Sequence, residues 1–81
     1  MHLVVQKSKV VLGTYQHYKG NIYKVLGVGK HSETLEEVVI YQGQYDSEEF
    51  GNNPIWVRPI SSFTSLVNTN GKEIPRFKFI K

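Results

Sequence analysis

The sequence predicts an all-β fold, and three features lead to that prediction. Short segments rich in β-branched and aromatic residues, such as 22–28, 38–41 and 55–58, alternate with turn residues along the chain. The dipeptides Gly20-Asn21 and Asn70-Gly71, which favour tight turns, each separate two such segments. No heptad pattern, internal repeat or low-complexity segment is present. We therefore expect about five short, strongly bent antiparallel strands and one short 3₁₀ or α turn.

The length and composition fit a single domain. Eighty-one residues leave no room for a second core, so we expect residues 1–12 to be a lead-in, either an edge strand or disordered, and residues 13–81 to be the folded domain. The absence of cysteine excludes disulfides and thiolate chemistry, and a reducing cytoplasm is the expected compartment. No apolar stretch approaches the length of a membrane span.

The first predicted element is a hairpin. Residues 15–18 and 22–28 form its strands, and residues 20–21 form its turn. The apolar alternation changes phase within the second strand, and Gly27 offers a bulge or sharp bend at that point. Such a bend would curl the sheet into a barrel and turn four side chains inward, namely Tyr23, Val25, Leu26 and Val28.

A polar, turn-rich loop over residues 44–54 precedes a short strand. In that strand, alternation predicts that Ile55 and Val57 face the core. Trp56 and Arg58 would then point outward together, where they could stack on each other or receive a ligand ring or an anion. The alternative is that Trp56 only seals the end of the barrel.

The last predicted elements are a helical turn and a hairpin. Ser61 or Ser62 could cap a single turn through residues 63–66. Residues 66–69 and 72–80 would then pair across the Asn-Gly turn. Alternation in the last strand predicts two inward and two outward side chains, Phe77 and Phe79 against Arg76 and Lys78. Short strands with tight turns and almost no helix are typical of a small SH3-like barrel or roll.

Charge is distributed unevenly along the chain, which carries a net charge of +3. Residues 1–30 contain five lysines and no acid, residues 31–57 contain six acids and neither Lys nor Arg, and residues 58–81 contain five cations and one acid. If the fold brings the two ends of the chain together, one face becomes basic and can meet an anionic partner. The alternative is that these charges only solvate exposed strand faces.

The densest cluster of reactive side chains lies at residues 31–34, His-Ser-Glu-Thr. His31 and Glu33 would share one face of an extended strand, so the carboxylate could orient the imidazole. Ser32 would point the other way, which excludes a Ser-His-acid triad made of these neighbours. The alternative is that the short polar side chains satisfy the backbone of a turn. No metal site is expected, because the three histidines are scattered and no cysteine accompanies them.

Five tyrosines add to these candidates. Aromatic side chains interleaved with Lys19, Lys24 and Arg58 on a small barrel would suit a platform for single-stranded nucleic acid. Cross-strand packing is the alternative, because tyrosine also favours strands.

Four segments carry a resemblance to a known family. They are His17-Tyr18-Lys19-Gly20-Asn21 with Tyr23, His31-Ser32-Glu33-Thr34-Leu35, Trp56-Val57-Arg58-Pro59 with Phe63, and Gly71-Lys72 with Pro75-Arg76-Phe77. Their order and spacing resemble the bacterial domain-of-unknown-function family 1653, over about residues 13–80. The resemblance implies an SH3-like barrel and no assigned activity.

The resemblance also implies a set of signature positions. In this sequence they are His17, Tyr18, Lys19, Tyr23, His31, Glu33, Thr34, Tyr41, Trp56, Arg58, Phe63, Arg76 and Phe77. Two features depart from the family pattern. Gly29 and Lys30 stand where the family tends to have Ala and Arg, and a lysine lacks the bidentate donor pair of an arginine. The loop at residues 46–53 is also longer and more acidic.

We expect a non-enzymatic binding module as the first function hypothesis. Its site would be one rim of the barrel, formed by His17, Tyr18, His31, Glu33, Thr34, Tyr41, Trp56 and Arg58. The expected ligand is a nucleotide-like anion, a single-stranded nucleic acid or a peptide of a protein partner, with no cofactor and no membrane.

Two other classes of function stay open. One is a small hydrolase or lyase in which His31 is the general base, Glu33 orients it and Arg58 stabilises negative charge. The other is a structural adaptor or small homodimer anchored by Trp56. The sequence does not decide between a monomer and a small homo-oligomer.

Overall fold

A five-stranded antiparallel sheet forms the centre of the computed structural model, which describes residues 10–81. The elements in chain order are β1 (Gly13–His17), β2 (Ile22–Lys30), β3 (Glu37–Gly43), β4 (Asp46–Ser47), β5 (Gly51–Asn52), β6 (Ile55–Pro59), α1 (Ile60–Phe63), β7 (Leu66–Thr69), β8 (Lys72–Pro75) and β9 (Phe77–Phe79). The main sheet has the order β6-β3-β2-β1-β9, while β4-β5 and β7-β8 are separate hairpins. The all-β prediction is therefore confirmed, and the architecture fits the predicted SH3-like barrel.

The first hairpin and its bulge lie where the sequence predicts them. Strands β1 and β2 pair with Tyr15 opposite Tyr23. Val25 pairs with Tyr41 and Gly27 with Ile40, so one extra residue, Leu26, forms the bulge. The predicted burial after the bulge is wrong, because both Leu26 and Val28 are exposed. Neither side chain belongs to the core cluster.

Strand β6 has the opposite orientation to the one expected. Ile55 and Val57 are 59% and 62% exposed, whereas Trp56 and Arg58 are half-buried. The register with β3 explains this, since Trp56 pairs with buried Tyr41 and Arg58 with buried Val39. Cross-strand partners share a face of the sheet, so Trp56 and Arg58 lie on the core face.

The helical turn begins earlier than predicted. It spans Ile60–Phe63, and Pro59 precedes it without any side-chain cap. Ser61 and Ser62 are therefore inside the turn, and the expectation that one of them caps it is wrong. Proline is favourable beside a helix start because its fixed φ suits the first turn. Phe63 is buried and holds the turn against the sheet.

The last predicted strand is divided into two. The Asn70-Gly71 hairpin is confirmed, with φ of 53° and 80° as a two-residue turn of this kind requires. After Pro75 the chain changes partner, because β8 pairs with β7 and β9 pairs with β1. At the junction the Arg76 N–H donates to the Ser65 carbonyl and its carbonyl accepts from the Tyr18 N–H. Phe77 is buried as predicted, but Phe79 is exposed and Arg76 is half-buried rather than outward.

An aromatic core fills the space between the sheet and α1. Its buried members are Val10, Tyr15, Val25, Val39, Tyr41, Phe63 and Phe77. The rings of Phe63 and Phe77 stack in parallel with centroids 4.1 Å apart, and Tyr15 and Tyr41 meet Phe63 edge-on. Most of the predicted lead-in lies outside the described residues, but Val10 packs in this core. Within residues 10–81 no helix is long and apolar enough to cross a membrane.

Truncation of the Phe63 side chain should remove much of the free energy of unfolding. Phe63→Ala is expected to lower the free energy of unfolding by about 3–5 kcal/mol, because large-to-small core changes lose burial and leave a cavity. A domain of this size is expected to have roughly 4–12 kcal/mol in total. Urea denaturation followed by tryptophan fluorescence measures the change.

Val57→Thr serves as the matched control on the exposed face of β6. It keeps the β-branched shape and should change stability by less than about 0.5 kcal/mol, as exposed substitutions usually do. A loss at Val57 as large as the loss at Phe63 would contradict the strand orientation described above.

Candidate functional site

The core face of the sheet continues into a layer of rings, which we call the aromatic layer. It consists of His17, Tyr23, Tyr41, Tyr45, Trp56 and Phe77. The ring of Tyr23 lies at its centre, with the rings of Tyr41, Tyr45, Phe77 and His17 at centroid distances between 5.3 and 6.3 Å. Edge-to-face contacts of this kind fix ring positions more firmly than aliphatic packing does.

Hydrogen bonds connect the polar atoms of the layer. The Trp56 indole N–H donates to the Tyr45 hydroxyl at 3.1 Å, and the hydroxyls of Tyr45 and Tyr23 share a hydrogen bond at 3.2 Å. Gly43 makes room for this arrangement, because a Cβ there would lie 2.5 Å from the Tyr45 ring. The tyrosine hydroxyls are thus fixed in position by neutral partners.

Arg58 lies across the edge of the aromatic layer. Its Nε donates to the Tyr41 hydroxyl at 3.1 Å, and its Nη1 donates to the Ser62 hydroxyl at 2.9 Å. The guanidinium carbon is 5.6 Å from the Phe77 ring centroid, a cation–π distance. The side chain is therefore held by β3, α1 and β9 together.

Arg76 is held next to the same helical turn. Its Nε donates to the Ser65 hydroxyl at 3.0 Å, and that hydroxyl donates to the Ser62 carbonyl at 2.7 Å. Ser62 thus contacts Arg58 through its side chain and is linked to Arg76 through its backbone. The two arginines, on strands distant in sequence, are brought to one place by α1.

Neither arginine has an anionic partner. Among residues 10–81, no hydrogen bond or ion pair joins Arg58 or Arg76 to a carboxylate. Residues 1–9 contain no Asp or Glu. Both side chains are half-buried, so their charges have lost part of their hydration and no opposite charge compensates for that loss.

The pKa of His17 is sensitive to the positive charges of the two arginines. Burial lowers the pKa of His17 below its ordinary value of 6.5, and the charges of Arg58, Arg76 and Lys19 lower it further. Its Nδ1 accepts the backbone N–H of Lys19 at 3.1 Å. The neutral imidazole therefore carries its proton on Nε2 and is a hydrogen-bond donor near both arginines.

The structure places the other predicted site residues in a separate turn. The β2–β3 connection holds His31, Glu33 and Thr34, and all three are exposed. His31 Nδ1 accepts the backbone N–H groups of Glu33 and Thr34 at 3.1 and 3.3 Å. The imidazole is thus engaged with the backbone of its own turn. Of the short polar side chains expected to satisfy that backbone, Thr34 accepts the Glu36 N–H at 3.2 Å.

The turn is also distant from the aromatic layer along the sheet. The His31 N–H donates to the Glu36 carbonyl, five positions before Tyr41. At about 3.3 Å per residue, that separation is about 16 Å along β3. The predicted rim therefore consists of two groups. His17, Tyr41, Trp56 and Arg58 converge, with Tyr18 next to His17, whereas His31, Glu33 and Thr34 lie together elsewhere.

The rim predicted from the sequence leaves out several residues of the convergent group. They are Tyr23, Tyr45, Ser62, Ser65, Arg76 and Phe77. Three of these, Tyr23, Arg76 and Phe77, are family signature positions, and that was the signal available for them. The serines lack such a signal, because only the folded chain brings α1 against both arginines. Within residues 10–81, no three His, Asp or Glu side chains are close enough to hold a metal ion together.

The fold and this cluster together define a small all-β protein with a candidate site, which we call the arginine–aromatic site: Arg58 and Arg76 beside His17 and the other rings of the aromatic layer. Residues 13–79 match the family model described as "Protein of unknown function (DUF1653)", and the chain belongs to that family. A crystal structure of a DUF1653 protein from Bordetella bronchiseptica is similar, with a TM-score of 0.79 and 32% sequence identity. The alignment covers 89% of this chain and 88% of that one. No curated protein matches the sequence.

The Tyr23 hydroxyl should lose its proton at a higher pH than an ordinary tyrosine does. Burial raises the pKa of Tyr23 to about 12 from an ordinary value of 10.0, and its hydrogen bond with Tyr45 contributes to the shift. Because the folded protein holds this proton more tightly than the unfolded chain, the contribution of Tyr23 to stability should be constant below about pH 10 and fall as the pH rises towards 12. Ultraviolet absorbance of the phenolates measures the titration directly.

The Tyr23→Phe variant identifies the group responsible. It should lack the titration step near pH 12, whereas the raised pKa of Tyr15, which burial also shifts, should persist. If the folded variant kept the same step as the unmodified protein, another tyrosine would be responsible and this description of Tyr23 would be wrong.

Proposed function

We propose that this protein is a non-enzymatic binding module that holds an anionic group of its ligand between Arg58, Arg76 and His17. The observation that carries the proposal is the pair of half-buried arginines without a carboxylate partner. A partly desolvated charge is costly unless an opposite charge compensates it. A bound anion supplies that compensation.

The hydrogen bonds of the arginines support an oxyanion in particular. Arg58 uses Nε and Nη1 towards Tyr41 and Ser62, and Arg76 uses only Nε towards Ser65. The Nη2 group of Arg58 and both Nη groups of Arg76 thus keep donors for a ligand. Guanidinium donors in a fixed fork suit phosphate and carboxylate oxygens, and a charge-assisted hydrogen bond is roughly twice as strong as a neutral one.

The neutral partners of the arginines support the same proposal. Hydroxyls fix the guanidinium planes through Nε but leave their positive charges in place. A carboxylate in the same position would neutralise the site and compete with a ligand. The tyrosine and serine hydroxyls therefore orient the arginines without blocking them.

The alternative functions gain less support. The hydrolase hypothesis needs His31 and Arg58 beside one substrate, whereas His31 lies in the β2–β3 turn and binds backbone N–H groups there. The adaptor hypothesis uses Trp56 as an exposed interface anchor, whereas Trp56 packs against the core and donates to Tyr45.

Anion titration tests the proposal. Inorganic phosphate added to ¹⁵N-labelled protein should shift the amide signals around Arg58, Ser62 and Arg76. Arg76→Gln should weaken binding by about tenfold or more, since a hydrogen bond to a charged group contributes about 1.5–3 kcal/mol. Arg76→Lys, which keeps the charge but loses the fork, should give an intermediate result.

Lys72→Gln is the matched control. Lys72 is exposed on the β7–β8 hairpin, so this variant removes one positive charge outside the site. It should change phosphate affinity by less than about twofold, since a screened surface charge contributes little. Equal losses in Arg76→Gln and Lys72→Gln would show diffuse attraction to a basic surface and would refute the site.

Binding should also change the titration of His17. Sulfate is a suitable probe because it remains a dianion across the range in which histidine titrates. In free protein the pKa of His17 is lowered by burial and by the two arginines, and a bound dianion offsets the arginine charges. The His17 pKa should therefore rise when sulfate binds, and by linkage sulfate affinity should rise as the pH falls through that interval.

The imidazole signals in NMR spectra measure this titration with and without sulfate. His17→Gln should bind sulfate with little dependence on pH, while His31→Gln should keep the dependence. A His17 titration that sulfate leaves unchanged, despite saturation of the amide shifts, would place the anion away from His17 and overturn that part of the site.

A further inference from the structure

A groove adjoins the arginine–aromatic site. It has a volume of about 460 Å³ and is lined by Gln16, His17, Tyr18, Gly20, Ile74, Pro75 and Lys78. Pockets that hold small ligands usually have volumes of about 300–1,000 Å³. His17 is common to the groove and to the site, and Arg76 directly follows Pro75 in the chain.

A continuous series of rings leads from the arginines to this groove. Arg58 lies over Phe77, the Phe77 ring centroid is 4.9 Å from that of His17, and His17 is 4.6 Å from Tyr18. Tyr18 follows the end of β1 and is 37% exposed. Gln16 and Lys78 lie on the opposite face of β1 and β9 from His17 and Phe77, so the groove meets the site at the end of β1, beside Tyr18. One molecule would pass around this strand end to place a charged group at the arginines and an aromatic group beside Tyr18.

The groove offers a ring-binding surface with polar groups at its margin. Ile74, Pro75 and the Tyr18 ring supply apolar contact area. Lys78 lines the groove, and the Lys19 ammonium lies 5.8 Å from the Tyr18 ring centroid. Gln16 donates through Nε2 to the Gly20 carbonyl, which leaves its Oε1 as an acceptor for the amino group of a ring.

We propose that the ligand is a nucleotide, with its phosphate between Arg58, Arg76 and His17 and its base in the groove beside Tyr18. This inference rests on the proposed function, since it names the ligand of that anion site. Phosphate and base would lie on either side of the His17 ring, joined by the sugar. A base offers the flat face that Tyr18 can stack on and the edge groups that Gln16 and Lys78 can meet.

The phosphate, sugar and base that this site would bind are present both in a free nucleotide and in each nucleotide of a single-stranded nucleic acid. A strand would place further phosphates near Lys19 and Lys78, and its binding would weaken steeply with added salt. The experiment therefore includes both forms.

The test compares ligands that differ by one group. Adenosine monophosphate, uridine monophosphate, ribose 5-phosphate and inorganic phosphate are titrated into the labelled 81-residue protein and followed by amide shifts. Both nucleotides should bind about tenfold or more tightly than ribose 5-phosphate, since stacking on an aromatic side chain is strong enough for such a difference. Only the nucleotides should shift the signals of Tyr18 and Lys78.

Two substitutions at Tyr18 distinguish stacking on the ring from contact with any apolar side chain. Tyr18→Leu keeps an apolar side chain without a ring face and should abolish the advantage of nucleotides over ribose 5-phosphate. Tyr18→Phe keeps the ring and should retain the advantage. Because Tyr18 is exposed at a strand end, neither substitution removes a core contact.

The outcomes distinguish this inference from the function on which it rests. If phosphate binds as proposed but nucleotides bind no better than ribose 5-phosphate, the base site is refuted and the anion site stands. If no phosphate compound binds, both are refuted. A phosphotyrosine peptide that binds more tightly than either nucleotide would replace the nucleotide with a protein partner.

Tetranucleotides of uridine and adenosine complete the comparison. Binding that is tighter than that of the mononucleotides, and that spreads to Lys19, identifies a single strand as the source of the nucleotide. Binding no tighter than one nucleotide identifies the free form.

Discussion

The ring of Phe77 is the contact on which both the core and the site depend. On one side it stacks on Phe63 at 4.1 Å, which holds α1 against the sheet. On the other side it meets His17 edge-on and carries the guanidinium of Arg58. Its strand, β9, is short and lies at the edge of the sheet. The packing of a single ring therefore fixes the positions of His17 and Arg58.

That arrangement explains why so small a protein contains so many tyrosines in its interior. A domain of this size buries only about 60% of its unfolded surface, so its core and its surface are separated by a single layer of side chains. Tyrosine suits that layer, because its ring packs inward while its hydroxyl meets a polar partner. Tyr41 does so with Arg58, and Tyr23 and Tyr45 do so with each other. The core thus merges into the site without a buried polar side-chain atom left unpaired among residues 10–81.

The sequence predicted the hairpins well because their information is local. Asn70-Gly71 specifies its turn through the positive φ of both residues, and the phase change near Gly27 indicates the bulge. The orientation of β6 is not local. Ile55 and Val57 look like core residues by alternation, but their register is fixed by β3 and by the bond from the Gly43 N–H to the Pro54 carbonyl. The sequence therefore placed Trp56 and Arg58 on the wrong face of β6.

Convergence of the site residues is equally non-local. His31 and Arg58 are the two most conspicuous polar groups in sequence, yet His31 completes a turn and Arg58 joins Arg76, which the prediction had turned to solvent. Sequence spacing cannot place Arg76. The chain changes its pairing partner at this residue, from β7 for β8 to β1 for β9, and the Arg76 side chain donates a hydrogen bond to the Ser65 hydroxyl.

In the proposed function, the uncompensated arginines would also couple stability to anion binding. Because the free protein is expected to have only roughly 4–12 kcal/mol of stability, the desolvation of two guanidinium groups is a substantial cost. The aromatic core offsets that cost, and this allows Arg58 and Arg76 to remain without carboxylate partners. An anion that binds only the folded state adds stability in proportion to the logarithm of its concentration above its dissociation constant, about 2.7 kcal/mol at a hundredfold excess. Under the proposed function, the residue pair that weakens the empty protein would be the same pair that stabilises the anion-bound one, which is the behaviour expected of a binding site and not of a structural ion pair.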